Sequence, residues 1–278
     1  MVPTPPTLNK TAYVLGSDEP EIARLDAQAS SIAAPTDTLL RAAGIGGGMR
    51  VLDLGTGLGH VAFLVAALLE DGGSVLGVDR EERLLELAER RRAAAGHANV
   101  AFVQGDARTF TPAEPFDAIV ERLMLFHLPD REAVLRRQID ALEPGGTMLL
   151  VEFDIGAMRS EPDVPLVTAA REWMEAAFRS VGADPRIGAR AGELLRGAGF
   201  ADVSTFGLVP YLGPRDPTGP ILCAGIIRSL APRILSEGIA TEADLGLDTL
   251  RERIAEQVAA RDATMLTPAV VGAWGRRP

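Results

Sequence analysis

The chain has almost no lysine. Of its 28 basic residues one, Lys10, is lysine and the rest are arginine. Lys10 lies in a proline-rich N-terminal stretch, far from any glycine-rich loop. This excludes a Walker A phosphate loop, which needs a lysine after its glycines. It also excludes a lysine Schiff base to pyridoxal phosphate and the Tyr-x-x-x-Lys pair of short-chain dehydrogenases. Cysteine is nearly missing too. The single Cys223 excludes a disulfide framework and a cysteine-based zinc site. The three histidines, His60, His97 and His127, are far apart and lack metal-ligand spacing. The longest apolar run, over 61–69, is about half of a bilayer span. The chain does not open on a charged segment followed by an apolar one. A cytoplasmic protein with no membrane partner is expected.

Positive charge as a whole is in deficit. The 28 basic residues face 38 acidic ones, for a formal net charge of −10. Phosphate backbones repel such a surface, so nucleic acid is not an expected partner. The hydrophobic share of 47% and charged share of 24% are ordinary for a globular chain. At roughly 100–200 residues per domain, 278 residues make one large domain or one and a half. Richness in alanine, arginine and glycine beside scarce lysine fits a GC-rich bacterial genome.

No internal repeat or low-complexity tract is visible. Helical spacing of Leu25, Ala29, Ile32 and Ala33, continued by Leu39 and Leu40, predicts helix over 18–43. Glycines at 44 and 46–48 then break the chain. Short apolar runs predict strands over 51–54, 75–78, 100–103, 116–120 and 147–153. Helices are expected between them over 61–70, 81–95 and 131–142, the last closed by Pro144-Gly145-Gly146. Alternating strand and helix means a doubly wound α/β sheet. Beyond Phe153 the pattern predicts helices over 166–181, 190–197, 220–236 and 243–261, and strands over 201–209 and 267–274. The expected organisation is a helical cap over 1–44 and a main domain over 45–278. That domain carries a helical insertion at about 220–261, between its last two strands.

The strongest chemical signal is Val51-Leu52-Asp53-Leu54-Gly55-Thr56-Gly57-Leu58-Gly59, a strand running into a Gly-x-Gly-x-Gly turn that opens a helix. Glycine lets the backbone turn tightly and approach a ligand. NAD-binding folds carry Gly-x-Gly-x-x-Gly in the same place. Asp79 ends the second strand, about 20 residues after Gly59, where a carboxylate accepts ribose hydroxyls. Asp106, in Gln104-Gly105-Asp106-Ala107, ends the third strand, where a side chain can accept from an adenine amino group. Asp53 adds a third acid near the turn. It opposes a pyrophosphate and suits a cationic ligand, which argues against NAD.

Together, Val51–Gly59, Asp79, Gly105-Asp106-Ala107 and Leu142-Glu143-Pro144-Gly145-Gly146 resemble the class I S-adenosylmethionine (SAM)-dependent methyltransferases over about 50–153. Arg122-Leu123-Met124-Leu125-Phe126-His127-Leu128-Pro129-Asp130 is similar to the segment after strand four in the ubiquinone/menaquinone-biosynthesis type. Tyr13-Val14-Leu15-Gly16 and Glu21-Ile22-Ala23-Arg24-Leu25-Asp26-Ala27-Gln28 resemble the cap of bacterial small-molecule members. The resemblance implies a seven-stranded sheet of order 3-2-1-4-5-7-6 with the last strand antiparallel. It implies SAM as cofactor, with Gly55 and Gly57 under its methionine moiety, Asp79 on its ribose and Asp106 on its adenine. The cofactor-binding residues expected are Asp53, Gly55, Thr56, Gly57, Gly59, Asp79, Arg80, Gly105, Asp106, Ala107, Arg122 and Gln28.

Departures from the family narrow the chemistry. No Asn/Asp-Pro-Pro-aromatic motif follows strand four, which disfavours amino-methylation of adenine, cytosine or glutamine. One cysteine cannot serve arsenite methylation. Glu152 and Asp154 lack a third acidic ligand for a metal-dependent catechol type, so no metal is expected.

The methyl of a sulfonium is already activated, so alignment and exclusion of water carry much of the catalysis. A general base adds about 10²–10⁴-fold where the nucleophile must lose a proton. The catalytic candidates are His127 after strand four, Glu152 near the end of strand five, and Tyr13 closing over the cofactor. Gln28 and Arg122 are candidates for the methionine carboxylate. Trp173 and Tyr211 are candidates for an aromatic substrate wall, and Arg90-Arg91-Arg92 reads as a solvated helix end. The expected activity is methyl transfer to a small organic molecule in bacterial specialised metabolism, with homodimerisation left open. Two alternatives stay open: a SAM-binding cyclase, decarboxylase or hydroxylase that transfers no methyl, and a binding subunit without activity.

Overall fold

The computed structural model describes residues 19–278, so Tyr13 and the first part of the expected cap lie outside the described residues. Two helices come first, α1 (Glu19–Ser31) and α2 (Ala33–Ala42). Then strands and helices alternate: β1 (Arg50–Leu54), α3 (His60–Ala66), β2 (Ser74–Asp79), α4 (Glu82–Ala95), β3 (Val100–Gln104) and β4 (Phe116–Arg122). They continue as α5 (Arg131–Asp140), β5 (Leu142–Asp154), β6 (Arg159–Glu161), α6 (Pro165–Ser180), α7 (Ile187–Ala198) and β7 (Ala201–Leu208). The rest comprises β8 (Tyr211–Leu212), α8 (Thr218–Ser236), α9 (Glu242–Leu245), α10 (Leu250–Ala260), β9 (Thr264–Leu266) and β10 (Ala269–Arg276).

The central strands are mostly apolar because helices cover both faces of the sheet, and the acids Asp53, Glu121 and Glu152 interrupt them toward their C-terminal ends. Leu52 and Leu54 of β1 and Leu150 of β5 face a core shared with Leu135 of α5 and Ile187 and Leu195 of α7. Val51, Leu149 and Val151 face the opposite core with Leu39 and Leu40 of α2 and Val61 and Val65 of α3. The seven-stranded sheet has the order β3-β2-β1-β4-β5-β10-β7. Strands β1 to β5 run parallel, and β10 runs antiparallel to both neighbours. Counted by sheet strand, this is the expected 3-2-1-4-5-7-6.

A third core joins α6, α8 and α10 through Val167, Met174, Cys223, Ile227, Ile254 and Val258. Helices α8 to α10 lie in the chain between β7 and β10. A separate small sheet, β6-β9-β8, accompanies them. Its strands are too short to leave an alternating pattern, and none was expected.

Several boundaries differ from expectation, and the helix expected over 18–43 is two, α1 and α2. The expected helix 243–261 is two. A capping box between Thr241 and Asp244 starts α9, and Gly246 in the left-handed region (φ 48°) ends it before α10. The expected helix 131–142 stops at Asp140, and Leu142 already pairs with Phe116 as the first residue of β5. Helix α3 ends at Ala66, short of the expected residue 70. Among the described residues no helix is long and apolar enough to cross a membrane.

Candidate active site

Strand β1 delivers its last residues into the glycine turn, and β2 anchors that turn from the side. The amides of Gly55 and Thr56 donate to the Val78 carbonyl at 2.8 and 3.0 Å. Asp53 accepts from the Thr56 hydroxyl at 2.6 Å. It is 1% exposed, so it lies beneath the turn and reaches no accessible surface. Burial pushes the Asp53 carboxyl up to about 6, while the Thr56 bond and the Arg122 charge oppose the rise.

Asp79 is tied to the turn directly. One carboxylate oxygen accepts from the Gly57 amide at 2.8 Å and the other from the Glu81 amide at 3.0 Å. Gly57 has φ +52°, and a methyl group there would meet nothing within 4 Å. The turn therefore has open space beside the carboxylate, which fits a bound nucleoside. Gly59 differs: at φ +82°, a Cβ would come within 2.8 Å of Phe102 and 3.0 Å of Phe63. Its glycine serves packing of the helix start.

The Gly105 amide donates to the Asp79 carbonyl at 2.9 Å, which brings the ends of β2 and β3 together. Asp106 is half-exposed and gripped by Arg108, with Nε at 3.0 Å and Nη2 at 2.5 Å. This guanidinium holds the Asp106 carboxyl below the usual carboxylate range. The Ala107 carbonyl accepts from Gln138 at 3.3 Å. Arg80 pairs with Glu81 at 3.3 Å. Arg122, at the end of β4, donates to the Thr36 hydroxyl of α2 at 3.2 Å, and burial pulls its pKa down against the attraction of Asp53. Gln28 on α1 accepts from Arg24 at 3.2 Å.

The segment after β4 is built on two buried acids. Glu121 accepts from the amides of Met124 and Leu125 at 2.6 and 2.9 Å. Glu152 accepts from the Phe126 amide at 2.9 Å. Glu152 is 0% exposed, so it supports the segment from below and does not line an open pocket. Burial and mutual repulsion raise its carboxyl well above the ordinary value, and burial pushes Glu121 up to about 7. Among the described residues the second oxygen of each finds no other donor. A proton between the two carboxyls satisfies both.

This scaffold presents His127 in a short 3₁₀ turn, Leu125–His127. Its ring packs edge-on against Phe126 at 5.1 Å. Burial, reinforced by the charges of Arg24, Arg80 and Arg131, pulls the imidazole down to about 4. The ring is therefore neutral at pH 7 and a weak proton acceptor, suited to hydrogen bonding a substrate.

Two hydrogen-bonded groups thus meet at the turn, Asp53 with Thr56 and Asp79 with Gly57 and Gly105. Trp173 packs into the α6–α8–α10 core, whereas Tyr211 is 71% exposed, so the two do not share a buried wall. Arg91 is not a solvated helix end: it grips Asp26 of α1 at 2.7 and 2.9 Å. The sequence reading missed this contact and passed over Glu121. The available signal for Glu121 was an acid inside the apolar run 118–125.

A family model described as "Methyltransferase domain" matches residues 45–188. The trans-aconitate 2-methyltransferase of Methylobacterium radiotolerans is 32% identical over 152 residues, covering 55% of this chain and 54% of that protein. The ubiquinone/menaquinone biosynthesis C-methyltransferase UbiE of Azotobacter vinelandii is 35% identical over 112 residues, 40% of this chain and 44% of that protein. The chain thus spans about half the length of the curated relatives it matches. Among solved structures, the phosphoethanolamine N-methyltransferase 2 of Haemonchus contortus in complex with SAM shares the fold. Its TM-score is 0.55 at 21% identity, covering 88% of this chain and 52% of that one. With the sheet order, the glycine turn and the family match in agreement, the chain belongs to the class I SAM-dependent methyltransferases.

Proposed function

We propose that the protein transfers a methyl group from SAM to a small organic molecule. The observation that carries this is the join between Asp79 and the Gly57 amide beside open space at the turn. In this reading the lone pairs left on Asp79 accept ribose hydroxyls, Asp106 accepts from the adenine amino group, and Arg122 with Gln28 holds the methionine carboxylate. When bound, SAM supplies a methyl already activated by its sulfonium. The chain's own residues orient the acceptor and exclude water, and such orientation lowers a barrier by roughly 7–11 kcal/mol in favourable cases. His127 acts as a neutral hydrogen-bonding group toward the substrate, with Glu121 and Glu152 fixing its turn. Helices α1 and α2 form a cap over the cofactor, and the helices between β7 and β10 form an insertion beside the substrate side.

A small acceptor is supported by the relatives, which include enzymes named for trans-aconitate and for ubiquinone/menaquinone biosynthesis. The finer reading is a cytoplasmic enzyme of bacterial specialised metabolism. Calorimetry with SAM on the wild type and Asp79→Ala tests the site. Loss of charge-assisted bonds of about 1.5–3 kcal/mol weakens binding roughly ten- to a hundredfold. Equal affinity in the variant refutes the assignment. Mass spectrometry of a metabolite panel tests the reaction: a methylated product appears together with S-adenosylhomocysteine. Product without S-adenosylhomocysteine identifies a non-methylating enzyme instead.

A further inference from the structure

Helix α1 touches the glycine turn in two ways. Ile22 packs with Leu58, the residue between Gly57 and Gly59, and with Leu84 of α4; Leu25 and Leu87 flank them. One turn further along α1, Asp26 meets the first residue of α3. His60 Nε2 lies 2.8 Å from Asp26 Oδ1, and Arg91 of α4 grips both Asp26 oxygens at 2.7 and 2.9 Å. Arg91 Nη1 is also 3.2 Å from His60 Nε2. The cluster therefore joins three helices at the point where the turn becomes α3. The Arg91 guanidinium is the main cause that holds the Asp26 carboxyl low, so Asp26 is ionised at neutral pH. Burial pulls His60 below its ordinary value. A neutral His60 donates to Asp26, and Arg91 then supplies the only full positive charge on the carboxylate within the cluster.

The turn itself has few side chains with which to hold its shape. Leu58 is its one large side chain, and Leu58 is 2% exposed because α1 and α4 cover it. Lifting α1 uncovers Leu58 and releases His60 together. The position of α1 and the geometry of the turn are thus mechanically linked. Asp26 is the residue through which the polar half of that link runs.

We propose that Asp26 is a positioning residue for cofactor binding: paired with Arg91 and His60, it docks α1 on the glycine turn, and loosening this latch speeds cofactor exchange. The proposal rests on the reading of that turn as the SAM site. The three side chains are partly exposed, with side-chain accessibilities of 40% for Asp26, 34% for Arg91 and 27% for His60. Salt therefore screens the latch.

The test measures SAM dissociation by stopped flow on the full chain. Asp26→Asn and Arg91→Met each raise the off-rate about tenfold, the scale of one charge-assisted contact. The double variant adds little to either single one, because both remove the same contact. Asp26→Glu, which keeps the charge, recovers most of the slow release. Raising sodium chloride speeds release from the wild type and not from Asp26→Asn. Melting of the SAM-free protein changes little between variants. Should one variant fail to fold, the other and the salt dependence of the wild type read the same contact. Off-rates within about twofold of wild type, or a wild-type off-rate indifferent to salt, overturn the latch. A wild type that binds no SAM overturns instead the reading of the turn, and the latch falls with it.

Discussion

The carboxyl of Glu121 on β4 meets the carboxyl of Glu152 on β5 in the interior, and together they accept three successive amides, Met124, Leu125 and Phe126. Two acids thereby shape the segment that presents His127. Ionising both would place two negative charges together in a dry site, so the pair keeps a proton.

That proton gives stability a pH dependence. Burial pushes Glu121 up to about 7 in the folded protein, against about 4.3 for an ordinary glutamate. Between those values the folded chain keeps a proton that the unfolded chain has released. Stability is full below the window and falls as pH rises through it, by on the order of 2–4 kcal/mol. Asp53, raised to about 6, acts in the same direction. Glu152→Gln retains an acceptor for the Phe126 amide and removes one charge. Its melting temperature should fall less than that of the wild type between pH 5 and pH 8. Parallel pH curves for the two proteins would contradict the shared proton.

His127 carries the opposite sign. Its folded pKa of about 4 lies below the ordinary histidine value of about 6.5. Stability from this group is present above the ordinary value and is lost as pH falls toward 4. Methyl transfer should accordingly show no inflection from His127 between about pH 5.5 and 7.5. His127→Gln, which keeps hydrogen-bonding groups, should retain more activity than His127→Ala. An inflection near 6.5 that vanishes in His127→Gln would show a titrating base.

The two glycines of the turn should separate folding from binding. Gly57→Ala meets no protein atom, so the fold pays only the left-handed backbone cost of about 1–2 kcal/mol. SAM affinity should fall more steeply, because the new methyl enters the open side of the turn. Gly59→Ala forces Phe102 and Phe63 apart and should lower the melting temperature of the SAM-free protein further than Gly57→Ala. Equal melting temperatures, measured by calorimetry, would contradict this division.

Arg108 competes for Asp106. With both carboxylate oxygens held by one guanidinium, an adenine amino group bound as proposed would share the acceptor. Arg108→Ala should tighten binding of adenosine-bearing ligands by about two- to tenfold, and Asp106→Ala should weaken it by at least as much. Weaker binding in Arg108→Ala would assign the guanidinium itself to the ligand.

The central strands and the glycine turn were legible because their signals are local. Val51 to Leu54 is an apolar run ending in glycine, and such runs recur at each parallel strand. The antiparallel place of β10 came from family resemblance, since no local pattern reports strand order. The buried acids show the limit of local reading. Glu152 looks like a strand-end acid until sheet register sets it beside Glu121. Arg91 looks like a helix-end charge until α1 folds back from 65 residues away in sequence. Tyr211 reads as a wall residue by type, yet a two-residue strand leaves it exposed. The small sheet escaped notice because β6, β8 and β9 take their pairing from tertiary contacts.

The order of the sheet also sets an order of birth. In the seven-stranded sheet β7 pairs with β10 alone, yet the chain makes β7 first and then a whole helical layer before β10. While the ribosome works through that layer, β7 has no neighbour on either side. An unpaired strand invites the wrong partner, and long-range pairing is slow to close. Phe206, exposed on β7 even in the finished fold, adds apolar surface to the unpaired strand during that interval. Quality control in the cell would therefore act on nascent chains that end between β7 and β10.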